Sequence, residues 1–262
     1  MPTTYTHYRF GDRCMAGLPP RLERAVRRHR SLYDIGVHGP DVLFYYHPLK
    51  PNPVSRYGSE LHRQPARVFF EKARPVFARG GNREAMMAYL LGFLSHFVLD
   101  SACHGYVEQA RKALGISHNR LEAAFDAYMM EADGLTPSRV NRGISLHPSP
   151  YNAGIMAPFF DLPAETVLEA SKGQVRIMNL LYSPTGIKKR ALRRLIGLFH
   201  IPGSFDDLFL DDEIPREYGE AMAVLDGLSG QARKEYGDLA ECLVNFLRGR
   251  EELPERFDRD FE

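Results

Sequence analysis

Five side chains able to hold metal ions repeat at a four-residue spacing near the middle of the chain. The first run is His96, Asp100 and His104, and the second is His118 and Glu122. Both runs lie in sequence of helical character, where four residues advance about 6 Å along the axis and return to nearly the same face. Imidazole and carboxylate are common ligands of Zn²⁺. Two such helices facing each other predict a metal-dependent hydrolase.

The alternative is that these side chains are structural. A lone core histidine is usually hydrogen bonded, and a His–acid pair on an exposed helix stabilises it by roughly a few tenths of a kcal/mol. Here, however, the strongly apolar segment Leu90 to Asp100 would bury His96 together with Asp100. An unpaired charge there is costly, so a partner or a metal is required. The pattern therefore favours a metal site.

Other metal motifs are absent from the sequence. It contains no His-Glu-x-x-His of zinc peptidases, no Glu-x-x-His of carboxylate-bridged di-iron bundles and no Cys-x-x-Cys of structural zinc sites. A histidine and carboxylate set without cysteine suits several Zn²⁺ ions or a similar transition metal.

Helical periodicity dominates the sequence, and no convincing alternating strand is present. Two stretches, 36–59 and 135–151, are rich in residues that favour loops. The predicted fold is all-α, a single multi-helix domain over residues 1–262, with the metal motifs within 1–126 and helices without a recognised motif in 127–262. We expect helices at 20–33, 64–78, 82–114 with a break near His104-Gly105, 118–132, 163–181, 186–199 and 215–248.

Composition gives weaker constraints. The 262 residues are 44% hydrophobic and 26% charged, and the net charge of +1 gives no evidence for general nucleic-acid binding. The three scattered cysteines do not predict a disulfide framework. No secretory signal is recognisable at the start, and no apolar run approaches the roughly 20 residues that span a bilayer. We therefore expect a cytoplasmic protein.

Further motifs accompany the two helical runs. They are Thr6-His7-Tyr8, Gly39-Pro40-Asp41 followed by an aromatic loop, and Gly58-Ser59-Glu60-Leu61-His62. In this order, over about residues 1–126, the sequence resembles the zinc-dependent phospholipase C family, whose fold is shared with the S1/P1 nucleases. The resemblance implies an all-α fold of the phospholipase C and P1 nuclease type.

The resemblance also implies two or three zinc ions and their ligands. One ion would bind Asp41, His62, His96 and Asp100, and a second would bind His104, His118 and Glu122. Asp100 would bridge towards a third ion that also uses His7. In the secreted phospholipases an N-terminal Trp contributes to that third site, whereas this sequence contains no Trp.

The implied reaction is hydrolysis of a phosphodiester. A zinc-bound hydroxide would attack phosphorus, with Asp41 as the base that orients the water. The expected substrate is a phospholipid or another phosphodiester. Two alternatives stay open: a nuclease of the S1/P1 type, and a metal-stabilised helical binding protein without turnover.

Several other residues have weaker predictions. Asp126, one turn beyond Glu122, is expected to orient a histidine. The run Val42 to Tyr46 is expected to pack in the core rather than line a cleft. The basic amphipathic segment Ile187 to Phe199 would lie on an anionic membrane or, more commonly, pack its apolar side against the protein.

Overall fold

The computed structural model describes residues 4–198 and 203–262. The structure is 75% helical, and the described residues contain no strand. The prediction of an all-α fold is confirmed.

The helices follow one another with short connections. In the described residues the α-helices are α1 (Thr4–Met15), α2 (Pro20–Arg28), α3 (Arg30–Gly36), α4 (Pro53–His62), α5 (Ala66–Arg79), α6 (Arg83–Leu114), α7 (His118–Ala132), α8 (Pro150–Phe160), α9 (Ala164–Leu181), α10 (Ile187–Leu198) and α11 (Gly219–Leu247). Short 3₁₀ helices lie at Gly39–Tyr45, Pro137–Arg139, Gly203–Leu208, Arg216–Tyr218 and Glu255–Asp258.

The two helices that carry the repeated motifs have the predicted limits. Helix α6 is capped by Asn82, whose side chain accepts from the Ala85 amide, and it ends at Gly115, which adopts a left-handed φ of 66°. The expected break near His104-Gly105 is wrong, because α6 continues as one helix through this point. The Ser117 side chain caps α7 by accepting from the Arg120 amide.

Other elements differ from the sequence predictions. The helix expected at 20–33 is divided at His29 into α2 and α3. Helices α1 and α8 were not predicted. The stretch 36–59, predicted as a loop, contains a 3₁₀ helix and most of α4, which begins at Pro53 after the Asn52 cap. Phe199, the last residue of the expected basic helix, lies outside the described residues.

Helix α6 runs through the centre of the core, and residues 85–100 are all buried. Helix α3 packs against it so closely that a β-carbon on Gly92 would lie 2.4 Å from the Tyr33 carbonyl oxygen. Helix α11 covers another side, where the Tyr236 hydroxyl donates to the Leu91 carbonyl at 3.0 Å. One buried apolar cluster extends from Phe10 to Phe261. The motif residues are therefore carried by the most firmly packed element of the molecule.

By length and apolar composition α6 would also be long enough to cross a membrane. Within its most apolar window, however, 89% of the residues are buried inside the protein. This burial is what a central core helix requires.

Candidate metal centre

Asp100 is the meeting point of the candidate ligands. Its Oδ1 lies 3.2 Å from His7 Nε2, and its Oδ2 lies 3.2 Å from His96 Nε2 and 4.0 Å from His62 Nε2. These residues come from α1, α4 and α6, and each is at most 6% exposed. The tertiary fold thus brings together three histidines that are far apart in the sequence.

Asp41 joins this group from the 3₁₀ helix Gly39–Tyr45. Its Oδ1 lies 2.9 Å from His62 Nε2. On the other side of the ring, His62 Nδ1 lies 2.7 Å from the Gly58 carbonyl oxygen. Because a carbonyl only accepts, Nδ1 carries the proton in neutral His62, and Nε2 presents a lone pair towards the carboxylate. A cation between Nε2 and Asp41 would satisfy both groups.

The donor atoms fit a metal centre in chemistry and in spacing. His7 Nε2, His96 Nε2 and Asp100 Oδ2 are buried and form no hydrogen bonds although they face one another. Ligands bound at 2.0–2.1 Å to a tetrahedral ion lie about 3.3 Å apart. The separations of 2.9 to 4.0 Å given above bracket this value. The ligand atoms form two overlapping groups, His7–His96–Asp100 and Asp41–His62–His96, within which all atoms are within 4.8 Å.

A third group lies one turn further along α6. His118 Nε2 is 3.0 Å from Glu122 Oε1, as the four-residue spacing predicts, and the rings of His104 and His118 are 5.1 Å apart between centroids. Glu108 also belongs here, because its Oε1 is 2.9 Å from His118 Nδ1. The ligand atom of Glu108 lies within 4.8 Å of those of His104 and His118, and Glu122 pairs with His118.

Glu108 was not predicted from the sequence. It continues the four-residue register of His96, Asp100 and His104, which was the available signal. That signal is weak, since acidic residues at this spacing are common on solvated helices.

A small pocket connects the groups. It contains the candidate ligands His7, Asp100, His104 and Glu122, and its apolar walls include Leu99 and Phe125. An apolar wall strengthens electrostatic interactions inside the pocket.

Burial and close carboxylates shift the pKa values of the histidines in opposite directions. Burial lowers the pKa of His7, but Asp100 outweighs it and raises the pKa overall. The pKa of His96 is lowered, chiefly by burial. Burial also lowers the pKa of His118, yet Glu122 and Glu108 raise it to about 9. Zinc requires neutral imidazole, so it must displace protons from this set.

His38 is a further buried histidine beside the first group. Its ring centroid lies 6.4 Å from that of His7, and burial lowers its pKa to about 3. His38 is therefore neutral, and its Nε2 forms no hydrogen bond. The ring packs beside the candidate ligands without joining any of the three groups.

The prediction that Asp126 orients a histidine is wrong, because none of its hydrogen-bond partners among the described residues is a histidine. The Asp126 carboxylate accepts from the Thr6 amide and hydroxyl, both at 2.8 Å, and from the Tyr5 amide at 3.3 Å. Arg142 lies 3.4 Å away. Asp126 thus fixes the first turn of α1, and His7 follows directly in that turn.

The run Val42 to Tyr46 packs as expected. Val42 and Leu43 are fully buried in the core cluster. Phe44 stacks on His62 with ring centroids 5.4 Å apart. The run therefore supports the candidate ligand His62 from the apolar side.

The sequence model of the family described as zinc dependent phospholipase C matches residues 6–161. The chain belongs to this family, and the resemblance drawn from the sequence is confirmed. The match extends beyond residue 126 and includes α8. No curated protein and no solved structure gives a significant match.

Family membership indicates a zinc-dependent hydrolase of the phosphodiesterase type, with phospholipid as the substrate class. Zinc fits the residues present, because the buried nitrogen and carboxylate atoms without hydrogen bonds form the donor set that zinc prefers.

Proposed function

We propose that this protein hydrolyses the phosphodiester bond of phospholipids, releasing a phosphomonoester and an alcohol. The observation that carries the proposal is the convergence of His7, His62 and His96 on the carboxylates of Asp41 and Asp100, with the facing atoms buried and close to the spacing of a zinc site. A further group, on α6 and the start of α7, would bind a second ion, and paired ions favour phosphoryl transfer.

The ligands of each ion are part of this proposal. His96 belongs to both overlapping groups, but its Nε2 serves one ion. We assign His96 with Asp41, His62 and Asp100 to the first ion. The second ion takes His104, His118 and Glu122, and the third takes His7 with Asp100 as a bridge.

Bound zinc would supply an activated water near neutral pH and positive charge for the phosphate oxygens. The residues of the chain would then position the reactants. Burial alone would raise the pKa of Asp41, but neighbouring positive charge, including that of His62 at 2.9 Å, lowers it below its usual range. Asp41 is thus a carboxylate at neutral pH and would hold the proton of the attacking water.

The membrane contact predicted for the basic helix is the second part of the proposal. The apolar side of α10 packs inward only in part: Leu192 packs against Met178, Leu181 and Phe209. Ile187, Leu195 and Leu198 are instead 63%, 48% and 70% exposed. Arg190 and Arg194 are exposed on the same helix. Exposed apolar and cationic side chains together favour an anionic lipid surface.

Helix α10 is also connected to the beginning of α7. Lys189 lies 2.5 Å from Asp211, which lies 2.6 Å from Arg120. Ser117, the cap of α7, donates to Asp207 at 2.6 Å. Contact of α10 with lipid would therefore place the surface near the helix that carries His118 and Glu122.

The decisive experiment combines metal analysis with a substrate panel. Purified protein should contain zinc and hydrolyse phosphatidylcholine vesicles, with slower turnover of bis(p-nitrophenyl) phosphate. Preferential cleavage of single-stranded DNA would replace this proposal with a nuclease. Zinc binding without hydrolysis of any of these would indicate a binding protein.

The contact through α10 is tested by co-sedimentation with vesicles of phosphatidylcholine, with and without phosphatidylglycerol. The paired change Arg190→Glu and Arg194→Glu should abolish binding to the anionic vesicles. The matched control is Arg21→Glu with Arg24→Glu, two exposed arginines of α2, which should bind normally. Equal binding by all proteins would exclude α10 as the contact.

A further inference from the structure

His118 lies between two carboxylates, one on each ring nitrogen. Nδ1 is 2.9 Å from Glu108 Oε1, and Nε2 is 3.0 Å from Glu122 Oε1. The two helices that supply these groups are joined only by the turn 115–117. His118 is the first residue of α7 and therefore lies beside the last turns of α6. A metal coordinates one of the two nitrogens, and the other nitrogen keeps its proton.

The two carboxylates differ in what else they contact. Glu108 is held by Arg111, whose Nε and Nη2 lie 2.8 and 2.6 Å from its two oxygens. Its side chain is 31% exposed. The Glu122 side chain is 6% exposed, its Oε2 forms no hydrogen bond, and it lines the small pocket together with His104. The oxygen atoms of Glu108 are thus already engaged, whereas Glu122 has a buried oxygen available in the pocket.

From this difference we infer that Glu108 is a positioning residue rather than a zinc ligand. It accepts the Nδ1 proton of His118, which directs Nε2 towards the pocket, and Arg111 fixes its carboxylate in that orientation. The inference rests on the proposed function, because it assigns the orientation of one of the proposed ligands.

The physical basis is the pairing of a ligand histidine with an outer carboxylate. A carboxylate that accepts from the distal nitrogen selects one tautomer and one ring orientation, and it makes the coordinating nitrogen more basic. Loss of such a partner weakens metal binding by about 10–100-fold without removing the site. Glu108 also groups with His104 and His118 within 4.8 Å, and an outer partner held against the ligand ring would lie at such a distance.

The test measures zinc stoichiometry and affinity in the full-length protein by competition with a chelator. Glu108→Gln should keep the stoichiometry of the wild type and weaken one zinc by about 10–100-fold. Glu122→Gln should instead lose one zinc. Glu71→Gln on α5, another exposed helical glutamate, is the matched control and should leave zinc affinity unchanged.

Two further measurements separate positioning from a general structural role. The melting temperature of metal-free Glu108→Gln should match that of the wild type within a few degrees. The visible spectrum of the cobalt-substituted variant should shift in its d–d bands while keeping its intensity, since the coordinating nitrogen becomes less basic but the coordination number is retained. Arg111→Met should produce a smaller change in the same direction.

Loss of one zinc in Glu108→Gln would overturn the inference and make Glu108 a ligand. Unchanged zinc affinity in this variant would also overturn it. A wild-type protein that binds no zinc would refute the proposed function itself, which distinguishes the two failures.

Discussion

Gly39 lies directly against the imidazole of His96. A β-carbon at position 39 would stand 2.3 Å from His96 Cδ2, and the residue has a φ of 50°. No other amino acid fits this position without moving the ring or straining the backbone. The close approach brings the 3₁₀ helix, and with it Asp41, to the candidate ligands on α6.

Gly39→Ala should therefore affect both stability and metal binding. We expect a loss of about 1–3 kcal/mol in the free energy of unfolding, as for other overpacked cores, together with weaker zinc binding. Chemical denaturation and zinc analysis measure the two effects. Gly105→Ala is the control, because a β-carbon at position 105 meets nothing within 4 Å and this position lies inside α6. Normal zinc affinity in Gly39→Ala would contradict this account.

Asp100 contacts two histidines of different elements, so Asp100→Asn should remove zinc and activity together. The loss of activity should exceed the roughly 10–100-fold that loss of an outer partner causes. His96→Ala should behave in the same way. The exposed His147 is the control for histidine removal, and His147→Ala should be normal on both measurements. Retained hydrolysis of bis(p-nitrophenyl) phosphate by Asp100→Asn would exclude the assignment.

Zinc binding should release protons and weaken as the pH falls. The pKa of His118 without metal is about 9, so its ring is protonated at pH 7 and zinc must displace the proton. Below pH 9 the affinity of this site should fall about tenfold per pH unit, and it should level off above that value. Calorimetric titrations in buffers of different ionisation enthalpy count the protons released. An affinity independent of pH between 7 and 9 would contradict this prediction.

Removal of zinc should lower the melting temperature. The candidate ligands are buried, and their facing atoms without hydrogen bonds lose their partner when the metal leaves. A site occupied at a free zinc concentration 1,000 times its dissociation constant stabilises the fold by about 4 kcal/mol. Thermal unfolding before and after 1,10-phenanthroline, then with zinc or magnesium restored, measures the effect. Recovery with magnesium alone would argue against a nitrogen-rich zinc centre.

Asp126→Ala should loosen the start of α1. The change leaves the Thr6 amide and hydroxyl without their buried acceptor and removes the carboxylate beside Arg142, for which we expect a cost of about 3–5 kcal/mol. Zinc bound through His7 should be lost before the other ions. Asp226→Ala, an exposed position of α11, is the control. A stable Asp126→Ala variant with full zinc content would show that α1 needs no such anchor.

The sequence was most informative where spacing and capping agree. Helix α6 and helix α7 were predictable because Asn82, Gly115 and Ser117 mark their ends, and the four-residue register then places the candidate ligands on one face of each helix. Local rules suffice for such elements, since side chains four residues apart on one helix are always neighbours.

The remaining site depends on tertiary packing that local rules do not contain. The Gly39-Pro40 pair favours a turn, and only burial against α6 makes the following residues a 3₁₀ helix. His7 reaches Asp100 because Asp126, from a distant helix, fixes the first turn of α1. Glu108 likewise meets His118 because the turn after α6 brings the start of α7 back beside it.

The unbroken course of α6 has a consequence for how a substrate enters. Asp100 and His104 are one turn apart on a continuous helix, so two ions bound there would move as a rigid pair. Their separation would then not adapt to different head groups. Room for a bulky lipid would therefore come from movement of the helices packed on α6, above all α1 and α7. The start of α1 is held by Asp126 and the start of α7 by Asp207. Selectivity among head groups would then depend on those two tethers.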